Sequence, residues 1–323
     1  MTRPQVVTKM ISRGHSWGLA YFPDVSYRDT YLANPMSDNQ FMLASGNAVL
    51  RHLFQRTVML VDTNDLPYAE RRWITFSGTL IRIGDRIFVA TVSHTLENVE
   101  NPTRYSLMAM TGHNHQNSNR VFRKTIGTEN DRPDVGLMEL DLDILATFCE
   151  NESIGTNRIS VAPPECNLST LMGIPTSTVE LSENESGQWG LYCTASGFST
   201  AAIEIDSWPS MNLETPLDPE IDLLVGYPDR SADIRDMDGN QTDLDNPKGL
   251  SGGGLWVHGH SDQGSELWTP ESCKLVGIQS GWIRSREFVR LARISHWLEL
   301  VWRNYPDLRE AIETEIEGFV PPE

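Results

Sequence analysis

Three residues of the chain have the types and local settings that acyl chemistry needs. Ser251 stands in Gly249-Leu250-Ser251-Gly252-Gly253-Gly254, with a glycine two positions before it and glycines directly after. Glycines gather round a single serine where the backbone turns sharply and its N–H groups must stay open to an incoming atom. A serine hydroxyl is a poor nucleophile at neutral pH. It needs an imidazole to take its proton and a carboxylate to hold that imidazole in one tautomer. His94 closes the run Ala90-Thr91-Val92-Ser93-His94, and Asp134 opens Asp134-Val135-Gly136-Leu137-Met138-Glu139-Leu140. Each alone is unspecific: Asp134 follows Pro133 as a turn residue would, and the glycine loop also satisfies Gly-x-Ser-x-Gly. In the chain order His, Asp, Ser they form a candidate general base, orienting acid and nucleophile.

The elements that must carry them read mainly as strands. Residues 58–61 are a short apolar run, and residues 73–83 are rich in β-branched and aromatic side chains. Gly84-Asp85 then marks a turn, and residues 87–92 form the return strand of a hairpin that delivers His94 to its far end. Further strands are expected at 105–110, 121–126 and 135–140. Beyond residue 159 they are expected at 171–175, 190–197, 201–205, 223–228 and 274–282, separated by Gly, Pro and Ser turns. Many short strands at such spacing predict an all-β barrel or sandwich. A short helix is expected over 47–55, and residues 141–160 read as a short helix followed by a linker. The tail from 285 to 318 reads as helical, since Phe288, Leu291, Ala292, Trp297, Leu298, Val301 and Trp302 fall at helical spacing up to Pro306, and a second short helix is expected over 308–316.

Composition narrows the function class. The chain has 323 residues and a formal net charge of -18, without the basic stripe that nucleic-acid binding needs. No segment approaches a membrane-spanning length, and the opening residues lead into no signal-like apolar run. Cys149, Cys166, Cys193 and Cys273 lie far apart with no Cys-x-x-Cys pair, which predicts reduced thiols in a cytoplasmic protein. His113 with His115, and the acidic run at 236–240, lack the further ligands of a metal site and read as surface loops. No metal or other cofactor is expected.

With the residues in view, the chain resembles the trypsin/chymotrypsin-like serine protease family. Ser77-Gly78-Thr79-Leu80-Ile81, followed by Ala90 to His94, is similar to that family's strand pair ending in the catalytic histidine. The run from Asp134 to Leu140 looks like its aspartate-led strand, and Gly249-Leu250-Ser251-Gly252-Gly253 matches its nucleophile motif. Leu275-Val276-Gly277-Ile278-Gln279-Ser280 resembles the strand that flanks the substrate. The resemblance implies two antiparallel six-stranded β-barrels with the cleft between them and a C-terminal helix. The barrels would span 46–160 and 161–284, after an N-terminal extension at 1–45 and before a helical tail at 285–323. It makes His94 the general base, Asp134 its partner and Ser251 the nucleophile, with the N–H groups of Gly249 and Ser251 as the oxyanion hole. Asp245, Ser280 and Trp282 fall where such a family contacts substrate, and a carboxylate at Asp245 would favour Arg or Lys. Thr95 stands where secreted members carry a cysteine, which points to an intracellular, disulfide-poor branch. The implied substrate is a protein or peptide, with a regulatory protein partner restraining the enzyme. Two other readings stay open: a catalytically silent module of the same fold, and an α/β-hydrolase built on Ser251.

Overall fold

The computed structural model describes residues 49, 52–62, 74–96, 105–109, 133–140, 153–162, 169–183, 189–193, 195–200, 202–208, 213, 215–227, 248–258, 270–283 and 288–322. The chain is mostly β. Strands β1 (Thr57–Asp62), β2 (Ile74–Ile83), β3 (Arg86–Thr91), β4 (Tyr105–Ala109) and β5 (Gly136–Glu139) form one antiparallel sheet in the order β4-β1-β2-β3-β5. A second antiparallel sheet is built from β6 (Ser169–Gly173), β9 (Ser196–Thr200), β10 (Asp222–Gly226), β11 (Gly254–Val257), β12 (Lys274–Ile283) and β13 (Phe288–Arg293). Its order is β10-β13-β12-β11-β6-β9, while β7 (Glu180–Glu183) and β8 (Trp189–Tyr192) form a separate hairpin. Two helices follow, α1 (Ile294–Asn304) and α2 (Arg309–Glu315).

Period-two alternation assigns the side chains to their cores. Val58, Leu60, Leu80, Ile87 and Val89 point into a cluster enclosed by the first sheet. Their strand neighbours Met59, Val61, Ile81, Phe88 and Ala90 point the other way, into a large core shared with the second sheet and the C-terminal helices. The second sheet repeats the pattern. Leu255, Val257, Val289 and Leu291 line its own interior, while Trp256, Ile278 and Ala292 join the shared core. Both faces of both sheets are therefore buried along their central strands, and this holds the sheets against each other.

Neither sheet is a closed six-stranded barrel. The first is an open run of five strands among the described residues, and the strand expected at 121–126 lies outside them. The ends of the second meet at a single bridge, Ala202 with Val225, supported by the Ile203 N–H donating to the Leu224 carbonyl at 2.8 Å. The stretch read as one strand over 190–197 is divided between β8 and β9, which belong to different sheets, and 201–205 leads into a short 3-10 turn at Ile205–Ser207. The helical reading of the tail fails at its start. Phe288–Arg293 is a strand paired with both β10 and β12, because two ladders outweigh a spacing that also fits a helix. Of the short helix expected over 47–55, the described residues 49 and 52–54 are helical, and of 141–160 the described part is a short 3-10 helix, Thr156–Arg158, between isolated bridges. The N-terminal extension lies outside the described residues. Among those residues no helix is long and apolar enough to cross a membrane.

Helix α1 is no appendage. Trp297, Leu298 and Val301 are buried in the shared core, and the Trp297 indole donates to the Gly136 carbonyl at 3.0 Å, tying the helix to β5. Phe88 stacks edge-on against both Trp297 and Tyr305. Arg86 pairs with Glu139 at 2.7 Å and with Asp307 at 2.9 Å, closing the same face.

Two imidazoles, His258 buried and His52 partly buried, link this packing to pH. His258 accepts or donates a 2.7 Å hydrogen bond with the Thr170 hydroxyl, and burial pushes it down to about 4. His52 is also pushed to about 4, by burial first and then by Arg56 and Arg158, with Glu271 opposing. Between the ordinary value of 6.5 and about 4 the unfolded chain binds protons that the folded chain refuses. Their contribution is therefore fully present above 6.5 and is lost as pH falls toward 4. Thermal unfolding followed across this window should show a falling midpoint, and His258→Gln should flatten the fall. An unchanged slope in that variant would show that His258 takes up no proton on unfolding.

Candidate active site

His94 lies in a single 3-10 turn, Ser93–Leu96, directly after β3, and Asp134 lies just before β5, the neighbour of β3 in the sheet. The two chain segments come together because Gly136 has no side chain. A Cβ there would stand 2.7 Å from the Val92 carbonyl oxygen and 2.9 Å from the Leu96 side chain. Once adjacent, Asp134 uses both carboxylate oxygens on His94. One accepts the His94 backbone N–H at 3.1 Å, and the other meets the ring Nδ1 at 2.6 Å. A carboxylate at Nδ1 favours the tautomer with its proton there, which leaves Nε2 with a lone pair to accept a proton. The Asp134 side chain is 19% exposed and that of His94 is 40% exposed, so the carboxylate is shielded while the imidazole faces solvent. Phe76 packs its ring edge-on to the imidazole at 6.3 Å and limits its swing.

Ser251 belongs to the other sheet. Its loop runs from Lys248 to Gly253 and leads straight into β11. Every carbonyl from 248 to 251 has a fixed donor. Thr176 N–H donates to Lys248, the Ser77 hydroxyl to Gly249, Gly253 N–H to Leu250, and Ser77 N–H to Ser251, all within 2.7–2.8 Å. A planar trans peptide points its N–H opposite to its C=O. The N–H groups of Gly249 and Ser251 are thus turned away from Thr176 and Gly253, the partners of the Lys248 and Leu250 carbonyls. Gln279 on β12 closes the far side, accepting from Gly252 N–H and donating to the Gly253 carbonyl, both at 2.8 Å.

Two glycines make this docking possible. Gly249 and Gly252 have φ of 97 and 89, in the left-handed region that side chains disfavour. A Cβ on Gly252 would stand 2.0 Å from the Ser77 carbonyl oxygen, and one on Gly249 would stand 2.5 Å from Thr176. The loop therefore rests on β2 beside Phe76, whose ring touches His94. His94, Asp134 and the Ser251 loop are gathered at one end of the two sheets.

Ser280 and Trp282 continue β12 beyond Gln279. The Ser280 hydroxyl donates to the Arg290 carbonyl at 3.3 Å, and Trp282 stacks on Tyr227, which meets Phe198 edge-on. Asp245 lies outside the described residues. Among the described residues no group of three or more His, Cys, Asp or Glu side chains could hold a metal ion. An α/β-hydrolase nucleophile elbow is excluded, because the serine is followed by a strand in an antiparallel sheet and not by a helix after a parallel strand. The sequence reading missed Ser77, Thr176 and Phe76 as parts of the site. Ser77 was visible only as a strand residue, and nothing in its neighbours signals a partner as remote as Gly249.

No family model and no curated protein matches the chain. Among solved structures, it is similar to the scabies mite inactivated protease paralogue S-I1, with a TM-score of 0.46 and 10% identity over 79% of this chain and 97% of that one. It is also similar to human heparin binding protein, with a TM-score of 0.45 and 13% identity over 79% of this chain and 91% of that one. Likeness of this degree assigns neither family nor activity.

Proposed function

We propose that the chain is a serine endopeptidase of the trypsin-like kind, working through His94, Asp134 and Ser251. The observation that carries this reading is the two-point grip of Asp134 on His94, which fixes ring and tautomer at the end of the sheets where the serine loop docks. In the proposed reaction His94 Nε2 takes the Ser251 hydroxyl proton as Oγ attacks a peptide carbonyl. The resulting oxyanion is received by the N–H groups of Gly249 and Ser251. His94 then gives its proton to the leaving amine, which departs and leaves an acyl-enzyme. Water repeats the steps, losing a proton to His94 and releasing the new carboxylate as Ser251 regains its own proton. Asp134 stays ionised and stabilises the imidazolium. The same reading takes each sheet as part of a six-stranded antiparallel barrel. Substrates are protein or peptide chains, with Ser280 and Trp282 beside the bound segment.

A fluorophosphonate probe should add covalently to Ser251 in the folded protein, identified by mass spectrometry of the labelled peptide. Ser251→Ala should abolish the adduct and His94→Ala should nearly do so. Well-folded protein that never labels, even with candidate partner proteins added, would reject the enzyme and leave a silent binding module of this fold.

Asp134→Asn should keep the geometry while reversing the tautomer preference of His94. Turnover of a peptide substrate should fall by about 10⁴-fold with little change in KM. A loss below about tenfold would mean that Asp134 does not serve the base.

A further inference from the structure

The Ser77 hydroxyl has no freedom left. It donates to the Gly249 carbonyl at 2.8 Å and accepts the Ile174 N–H at 2.8 Å, inside a fully buried residue. Its own N–H holds the Ser251 carbonyl at 2.8 Å, and its own carbonyl accepts the Thr91 hydroxyl at 2.9 Å. One residue of the base-bearing sheet thus fixes two peptides of the serine loop and one strand end of the serine-bearing sheet.

We propose that Ser77 is a positioning residue for the hydrolytic site: it fixes the Gly249–Leu250 peptide, and with it the direction of the neighbouring oxyanion donors and the distance from Ser251 to His94. This rests on the endopeptidase reading above and adds to it a residue that touches neither substrate nor the reacting atoms. The physical reason is rotational. The Gly249 carbonyl of the loop is held by a side chain, the Ser77 hydroxyl. Its residue sits at φ 97, where a glycine peptide turns with little resistance. Without the hydroxyl, the Gly249 carbonyl and the Ile174 N–H would both lose a buried partner, and rotation of the Gly249–Leu250 peptide would be the cheapest way to recover one. Such a rotation moves the Gly249 and Ser251 amides off the atom they must receive. Ground-state binding of a peptide, which uses other contacts, would change little.

The test compares Ser77→Ala with Thr57→Val. The second removes another buried hydroxyl-to-carbonyl bond in the same sheet, from Thr57 to Leu53 at 3.1 Å, on β1 in register with Thr79 and not directed at any peptide of the serine loop. Labelling rate by a fluorophosphonate, kcat and KM for a peptide substrate, and the thermal midpoint are measured for both and for the unaltered chain. Ser77→Ala should lower kcat and the labelling rate about 10- to 100-fold at nearly constant KM. Thr57→Val should match its loss of midpoint without the kinetic loss. Ser77→Cys, which keeps a weak donor of similar size, should recover part of the rate and serves if the alanine variant does not fold. Wild-type labelling with an equal rate in Ser77→Ala would overturn the positioning role alone, as would equal kinetic losses in the two variants. Absence of labelling in the unaltered chain would instead remove the endopeptidase reading, and this inference with it.

Discussion

A nucleophile on one sheet and a base on another can act on the same atom only if the two sheets are held in register to a fraction of an ångström. That constraint governs the arrangement around β2. Its residue Ser77 bonds to the Ser251 loop and to Ile174, its carbonyl lies against Gly252, and its neighbour Phe76 packs on His94. The hydrophobic core between the sheets supplies most of the cohesion, since burial is the larger favourable term and is non-directional. It cannot choose among nearly equivalent slides of one sheet over the other. Directional bonds at the seam make that choice, and glycines at 249 and 252 let the backbones approach closely enough to form them.

The same division of labour recurs around Asp134. Apolar contacts from Phe88, Trp297 and Tyr305 press the C-terminal helix onto the first sheet. The single indole bond to Gly136 then sets where β5 begins. Glu139, at the other end of β5, is held by Arg86 and by the Tyr305 hydroxyl at 3.1 Å. Asp134 is thereby presented from a strand fixed at both ends, which explains how a residue in an extended lead-in can keep a two-point contact with His94.

Much of this was legible in the sequence. The hairpin leading to His94 could be read because its alternation has period two and its turn has unambiguous turn residues. Ser251 could be singled out as a candidate because glycines crowd it, and Asp134 because an apolar strand follows it. What could not be read depends on distant partners. Phe288, Leu291 and Ala292 suit a helix as well as a strand, and only the ladders from β10 and β12 decide between them. The split of residues 190–197 between two sheets is likewise a choice made by partners and not by propensity. Ser77 shows the limit most plainly, since its hydroxyl looks like that of any strand serine until Gly249 is brought beside it.

The bond from Trp297 to Gly136 also orders events in time. A chain emerging residue by residue presents His94, Asp134 and Ser251 well before Trp297, so every residue of the proposed machinery exists while the brace of β5 is still missing. Contacts spanning that much sequence are slow to form because the loop between them must first be closed. The nascent chain therefore carries Asp134 on a strand without its Trp297 bond until α1 docks. A helix made after all three residues thus acts as the latch at the start of β5.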